Sequence, residues 1–275
     1  MTPDKHAELE RAARGLRRDV VTMIHAAKDG HPAPSLSCAD IIAALYFSVM
    51  RVRPEEPDWP DRDRLVLSKG HACPVLYAAL AERGYFPPSE LATLRSLHSN
   101  LQGHPYSRKT KGVDATTGSL GNGVSVGLGI AMAARATKRD YFAYVITGDG
   151  ELGEGIVWEA AMAASHMKAG NLIVFVDANH YQSGGKVEDI SAVYPLAPKW
   201  EAFGWHTQGI DGHDLEQIVE AVEKAKGERE RPSVIIAETK KGKGIPFMIG
   251  DNSWHKRVIT DAEYAAAMEA LKDEA

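Results

Sequence analysis

Cysteine is nearly absent: 275 residues carry two, Cys38 and Cys73. Neither belongs to a CxxC pair, which argues against a disulfide framework and a thiolate zinc site. An excess of one charge is lacking too. Lys and Arg total 32 against 37 Asp and Glu, a net charge of −5. No basic stripe is therefore available to neutralise the phosphates of a nucleic acid. No apolar run approaches the roughly 18–20 residues that span a bilayer. Met1 to Arg18 is charged and lacks the apolar core of a secretory signal. These absences predict a cytoplasmic chain with no nucleic-acid or membrane partner. Internal repeats and low-complexity tracts are missing as well, and the pair Lys240-Lys241 reads as solvated surface. What is present is an ordinary globular mixture, 44% hydrophobic and 25% charged. A chain of this length can bury most of the surface that its unfolded form exposes.

The patterning predicts helices at 4–29, 38–50, 72–83, 89–97, 121–135, 154–167, 214–226 and 260–271. Predicted strands cover 64–68, 141–147, 172–177 and 233–238, with a short one within 201–208. A long polar connection fills 100–118. Asp29-Gly30-His31-Pro32 ends the first helix, and Thr260 caps the last, ahead of acidic first-turn residues. Strands alternating with helices predict an α/β fold, a parallel sheet covered by helices on both faces.

Gly148-Asp149-Gly150-Glu151-Leu152-Gly153 follows a predicted strand and opens a helix. It matches GxGxxG, and Asp177 at the end of the next strand would be the ribose-binding acid of an NAD module. Electrostatics oppose that reading. A helix N-terminus favours an anion by only about 0.3–1 kcal/mol per interaction. Asp149, Glu151 and Glu154 would cancel this unless a cation stood between them and a diphosphate. Magnesium or calcium would resolve the conflict, since both take hard oxygen ligands. Asp149 offers a carboxylate, and Asn179, just past the next strand, offers an amide oxygen.

GDG followed by this Asn on strand–helix–strand resembles the thiamine-diphosphate motif. That resemblance implies metal ligation by Asp149, Asn179 and the main-chain oxygen of Tyr181, with the Gly150 N–H facing the diphosphate. Further stretches extend it along the chain. They are Asp29-Gly30-His31-Pro32, the run from Arg62 to Ser68-Lys69-Gly70-His71, and Gln102-Gly103-His104-Pro105. Thr116-Thr117-Gly118-Ser119-Leu120-Gly121-Asn122-Gly123 and Trp254-His255 complete the set. In this order and spacing they resemble the transketolase family, whose diphosphate-binding (PP-type) domain the chain would be, as a single domain over 1–275. By that resemblance thiamine diphosphate would be contacted by His71, Gly118, Ser119, Leu120, Gly150, Glu151, Asn179 and His255. Catalytic roles would fall to His31, His104, His255 and Glu154. Histidine suits the work, because proton donors with near-neutral pKa must sit beside the reacting carbons. His6, His25, His98, His166, His180, His206 and His213 read as structural, and no feature suggests an activated Cys73.

The resemblance covers only the diphosphate-binding part of the family. The pyrimidine-binding and C-terminal domains, with the glutamate that activates the cofactor, would belong to a second chain. The implied enzyme is a split transketolase, two copies of each chain, moving a two-carbon ketol unit from a phosphorylated ketose to an aldose. Glu154 would support the activating glutamate across the interface. Ala33-Pro34, His180-Tyr181 and Lys256 depart from the family pattern and bear on donor choice. A deoxyxylulose-phosphate-synthase-like enzyme, an NAD-binding dehydrogenase module and a silent diphosphate-binding scaffold are the competing readings.

Overall fold

The structure is a computed structural model and describes residues 1–272. The last three positions of the expected 1–275 domain lie outside the described residues. The chain opens with helices α1 (Pro3–Ala27), α2 (Pro32–Ser37) and α3 (Ala39–Ala44), then strand β1 (Arg64–Leu67) and α4 (Cys73–Glu82). After a long connection come α5 (Asn122–Ala136), β2 (Ala143–Gly148), α6 (Gly155–His166) and β3 (Leu172–Ala178). A small hairpin, β4 (Tyr181–Gln182) and β5 (Gly185–Lys186), leads into α7 (Val187–Ile190) and α8 (Ala197–Ala202). The chain continues with β6 (His206–Asp211), α9 (Leu215–Gly227), β7 (Ser233–Glu238) and α10 (Asp261–Ala270).

The main sheet has five parallel strands in the order β1-β2-β3-β7-β6. Alternating side chains divide the core in two. Leu65, Leu67, Ile146, Ile173, Phe175 and Ile235 face a layer built by α1, α3, α4 and α9. Val66, Val145, Leu172, Val174, Val176 and Val234 face α5, α6 and Trp200 of α8. Burial on both faces explains the continuous apolar runs in the central strands. Each such side chain contributes about 1.5–3 kcal/mol. The expected α/β architecture is therefore what forms. Among the described residues, no helix is long and apolar enough to cross a membrane.

Three predicted elements differ in detail. The helix expected at 38–50 forms as α3 running on into a π turn at Leu45–Val49, but a further short helix, α2, precedes it: Ser37 Oγ and Cys38 Sγ donate to Pro34 O, and Cys38 leaves helical geometry between the two. Short hydroxyl and thiol donors compete with the helical ladder in this way. The 89–97 helix is a 3₁₀ turn, Pro88–Thr93, after which Arg95 and His98 take φ of 60° and 67°. The strand placed in 201–208 begins at His206, because Gly204 (φ 83°) turns the chain after α8. Register matters for function. Gly148 pairs with Asp177, and Asp177 with Ala237, so β2, β3 and β7 end level and their following loops emerge side by side.

Candidate active site

The β2–α6 turn carries Asp149, which is 1% exposed. Its Oδ1 accepts from Gly150 N (2.9 Å), and its Oδ2 from His180 N (2.7 Å) and the Tyr194 hydroxyl (2.8 Å). Burial pushes the Asp149 carboxyl upward, and these hydrogen bonds work against it. Asn179 follows β3. Its Nδ2 donates to Asp177 Oδ2 at 3.2 Å, while Oδ1 accepts from Tyr181 N at 3.1 Å. The amide is thereby oriented with its oxygen on the Tyr181 side.

Asp177 itself is fully buried and paired with buried Lys69, and it also accepts from Ser37 (2.5 Å) and Thr239. Burial raises its pKa, but Lys69 together with the Ser37 and Thr239 hydroxyls outweighs burial and holds the carboxyl below the usual range. A carboxylate committed in this way cannot accept ribose hydroxyls, so the dinucleotide reading fails at its acidic residue. Glu151 is also turned inward, accepting from Ser68, Gly121 N (2.7 Å) and Gly148 N (3.1 Å). Its carboxylate ties the 118–121 turn to the end of β2.

Three histidines meet above this floor. The rings of His31, His71 and His255 lie with centroids 5.2, 5.4 and 5.6 Å apart. His31 caps α2 ahead of Pro32, His71 sits in the turn after β1, and His255 ends the 3₁₀ turn Asn252–His255. Burial is the main cause that lowers all three, with nearby cations adding to it. His31 falls to about 4, His71 to about 2 and His255 to about 3. They are neutral imidazoles at pH 7. Among the described residues, His31 Nδ1 is buried without a hydrogen-bond partner. His255 Nδ1 lies 2.9 Å from Lys241 Nζ, which also donates to Asn252 Oδ1 at 2.6 Å. An ammonium at Nδ1 leaves the imidazole proton on Nε2, a donor.

Lys241 corrects the expectation of a solvated basic pair: it is 2% exposed, and burial lowers its pKa to about 8. The turn is folded back by two bonds donated from backbone N–H groups. Lys240 N donates to His213 Nε2 (2.8 Å) and Gly242 N to Ala33 O (3.3 Å), and Gly242 adopts φ 82°. Lys240 then faces solvent and Lys241 faces the site.

A cavity of about 310 Å³ joins these groups, within the size range of small-molecule sites. His31, His71, His255, Gly118, Leu120, Asp149, Gly150, Glu151, Glu154, Asn179 and Tyr181 line it; His104 and Ser119 do not. His104 stands beside it, with its ring against Gly118, where a Cβ would come within 3.3 Å. Gly118 also holds φ 150°, so a side chain there would be strained as well as crowded. Sequence reasoning missed Lys69, Gln182, Ser183 and Lys241 in the lining. Hollows of about 490 and 880 Å³ lie elsewhere, so convergent chemistry rather than size marks the site. Cys38 and Cys73 are buried, and burial pushes both thiols up to about 12, so neither is activated.

Residues 8–273 match the family described as transketolase, thiamine diphosphate binding domain. The chain belongs to the transketolase family. A 6-deoxy-6-sulfo-D-fructose transketolase subunit of Clostridium sp. (strain MSTE9) is 44% identical over 271 residues, 98% of each chain. An apulose-4-phosphate transketolase subunit of Actinobacillus succinogenes is 41% identical, covering 97% of each. Among solved structures, transketolase from Leishmania mexicana superposes with a TM-score of 0.90 at 32% identity, covering 96% of this chain and 41% of that one. Transketolase from Campylobacter jejuni gives 0.91 at 34% identity, covering 98% and 43%. This chain therefore spans about 40% of the solved transketolases, as in the Leishmania match (41%), but nearly all of the relatives named as subunits. It corresponds to the thiamine-diphosphate-binding part of the transketolase fold.

Proposed function

We propose that this chain is the N-terminal subunit of a two-chain transketolase, one thiamine-diphosphate-binding domain whose pyrimidine-binding and C-terminal domains lie on a partner chain. The assembly would hold two copies of each chain, in the cytoplasm. The reaction is transfer of a two-carbon ketol unit from a phosphorylated ketose to an aldose. The observation that carries this reading is the meeting, in one cavity at level strand ends, of the Asp149–Asn179 pair with three neutral histidines and Lys241.

The donor set fits magnesium or calcium. Asp149 supplies a carboxylate, Asn179 an amide oxygen held outward by the bond of its Nδ2 to Asp177, and Tyr181 a carbonyl. All are hard oxygens. Among the described residues no group of three His, Cys, Asp or Glu side chains could hold a metal alone, so a diphosphate would share in the coordination. Lys241 and His71 would meet the diphosphate, and the Gly150 N–H would turn to it from Asp149. Thiamine diphosphate, when bound, supplies stabilisation of the carbanion on the transferred unit.

This chain's residues bind and move protons around that chemistry. His255, donating from Nε2, and His31, with its unpartnered Nδ1, would hold the ketol oxygens. His104, outside the cofactor cavity, would take the hydroxyl proton as the bond to the departing aldehyde breaks. Glu154 is exposed at the mouth, its side chain without a hydrogen-bond partner among the described residues, as a residue reaching toward a partner's glutamate should be. Calorimetric titration with thiamine diphosphate and magnesium tests the reading, on this chain alone and mixed with the partner chain. Binding that tightens in the mixture is expected; no binding in either sample refutes it.

A further inference from the structure

We propose that Tyr194 is a positioning residue for the metal site: its hydroxyl holds Asp149 Oδ2 so that the other oxygen is kept for the cation. The inference rests on the reading of Asp149 as a metal ligand. Asp149 Oδ2 carries two donors, the Tyr194 hydroxyl at 2.8 Å and His180 N at 2.7 Å. Among the described residues, Oδ1 carries only the N–H of the next residue, Gly150, at 2.9 Å. A carboxylate offers about four lone-pair sites, so the free capacity lies on Oδ1. Without Tyr194 the carboxylate would have one donor on each oxygen, and nothing would distinguish them.

The hydroxyl is well placed to do this. Tyr194 lies outside the β2–α6 turn and the Asn179 loop, on the segment between α7 and α8. Its ring stacks on His180 at 5.1 Å and 16°. His180 is itself fixed by Glu238 (2.8 Å) at the end of β7, and by a backbone bond from Val187 N to its carbonyl. His180 adopts φ 64°, a left-handed turn that aims its N–H at Asp149 and its ring at Tyr194. From the far side, Lys199 Nζ donates to the carbonyls of Ala192 and Val193 and so anchors the strap that carries Tyr194. β3, β7 and the 191–199 strap thus converge on one carboxylate oxygen. Partners of this kind orient metal-binding carboxylates, and their loss commonly weakens metal binding by about 10–100-fold.

The test titrates magnesium into the full chain at saturating thiamine diphosphate, alone and mixed with the partner chain. It compares wild type, Tyr194→Phe and Asp149→Asn, and follows cofactor binding by calorimetry. The expected result is a midpoint for magnesium raised about 10–100-fold in Tyr194→Phe, with cofactor binding restored at high magnesium. Asp149→Asn should lose metal-dependent binding at any concentration tested. A Tyr194→Phe midpoint equal to wild type, with Asp149→Asn defective, overturns the role of Tyr194 and leaves the metal reading standing. Wild-type binding by Asp149→Asn, or no magnesium-dependent binding by wild type, overturns the metal reading and the inference with it. A Tyr194→Phe chain whose cofactor binding is not restored at any magnesium concentration, while its circular dichroism departs from wild type, would assign the hydroxyl to the integrity of the fold and also overturn the proposal.

Discussion

Replacing Lys69 by Met would expose what the buried floor of the site is worth. Lys69 is 2% exposed and its partner Asp177 is 0% exposed. Removing one member of a buried pair costs about 3–5 kcal/mol, because the other charge is left uncompensated. Ser37, Asn179 and Thr239 would still donate to Asp177, which places Lys69→Met near the lower end, about 3 kcal/mol. For a chain of this size that is roughly 6–12 °C in Tm. The pH dependence should change sign as well. In the wild type the Asp177 carboxyl is held low, so its stabilisation is present above the unfolded pKa of about 3.9 and lost as pH falls through the lower folded value. Without Lys69, burial dominates and raises the carboxyl. The variant then gains stability as pH falls from neutrality toward about 4. Adding Asp177→Asn to Lys69→Met removes the stranded charge and should recover much of the loss. Urea denaturation of the cofactor-free chain between about pH 5 and 8 measures all three effects. A loss below about 1 kcal/mol, or a double variant no more stable than Lys69→Met, would refute the argument.

Asp149→Ala should abolish magnesium-dependent cofactor binding while leaving the fold's circular dichroism unchanged; undiminished affinity would remove Asp149 from the metal site. His104→Ala should lower kcat of the assembled enzyme with little change in cofactor affinity, because His104 does not line the cofactor cavity. Normal turnover would exclude it from the substrate site. Lys241→Met should weaken thiamine diphosphate by about 10–150-fold, the loss of one hydrogen bond to a charged group at about 1.5–3 kcal/mol. Because Lys241 sits at about 8, wild-type affinity for the anionic cofactor should fall as pH rises through that value. Lys241→Met should flatten this fall, and an unchanged pH profile would contradict the assignment.

Much of the fold could be read from local pattern. β7 lies where its apolar run was bounded, Ser233–Glu238, and α10 begins at the capping box built by Thr260 and Glu263. The α6 boundaries fall within a residue of those expected. Discrepancies arose where side chains bond the backbone or glycine redirects it, as at Ser37–Cys38 and Gly204. The 89–97 helix failed for a tertiary reason. Arg95 is drawn away to Asp29 at 2.9 Å, and Ser99 bonds Thr93 (2.6 Å) and Leu101 N (3.0 Å) across the turn.

Sequence by itself named the GDG turn, Asn179, His31, His71 and His255, which line the cavity, because they sit in contiguous motifs whose chemistry travels with the residues; it did not name Gln182, Ser183 or the inward-facing Lys241. It also determined the layered α/β architecture, since hydrophobic periodicity states which strands are buried on both faces. Only the tertiary structure decided which ionisable groups are spent on the protein itself. Asp177 looked free to bind a ribose and is consumed by Lys69; Lys240 and Lys241 looked alike, and a backbone turn sends one outward and one into the cavity. Protonation state followed the same rule. The histidines are neutral because burial and neighbouring cations from distant loops converge on them, and no local pattern of residues encodes that convergence.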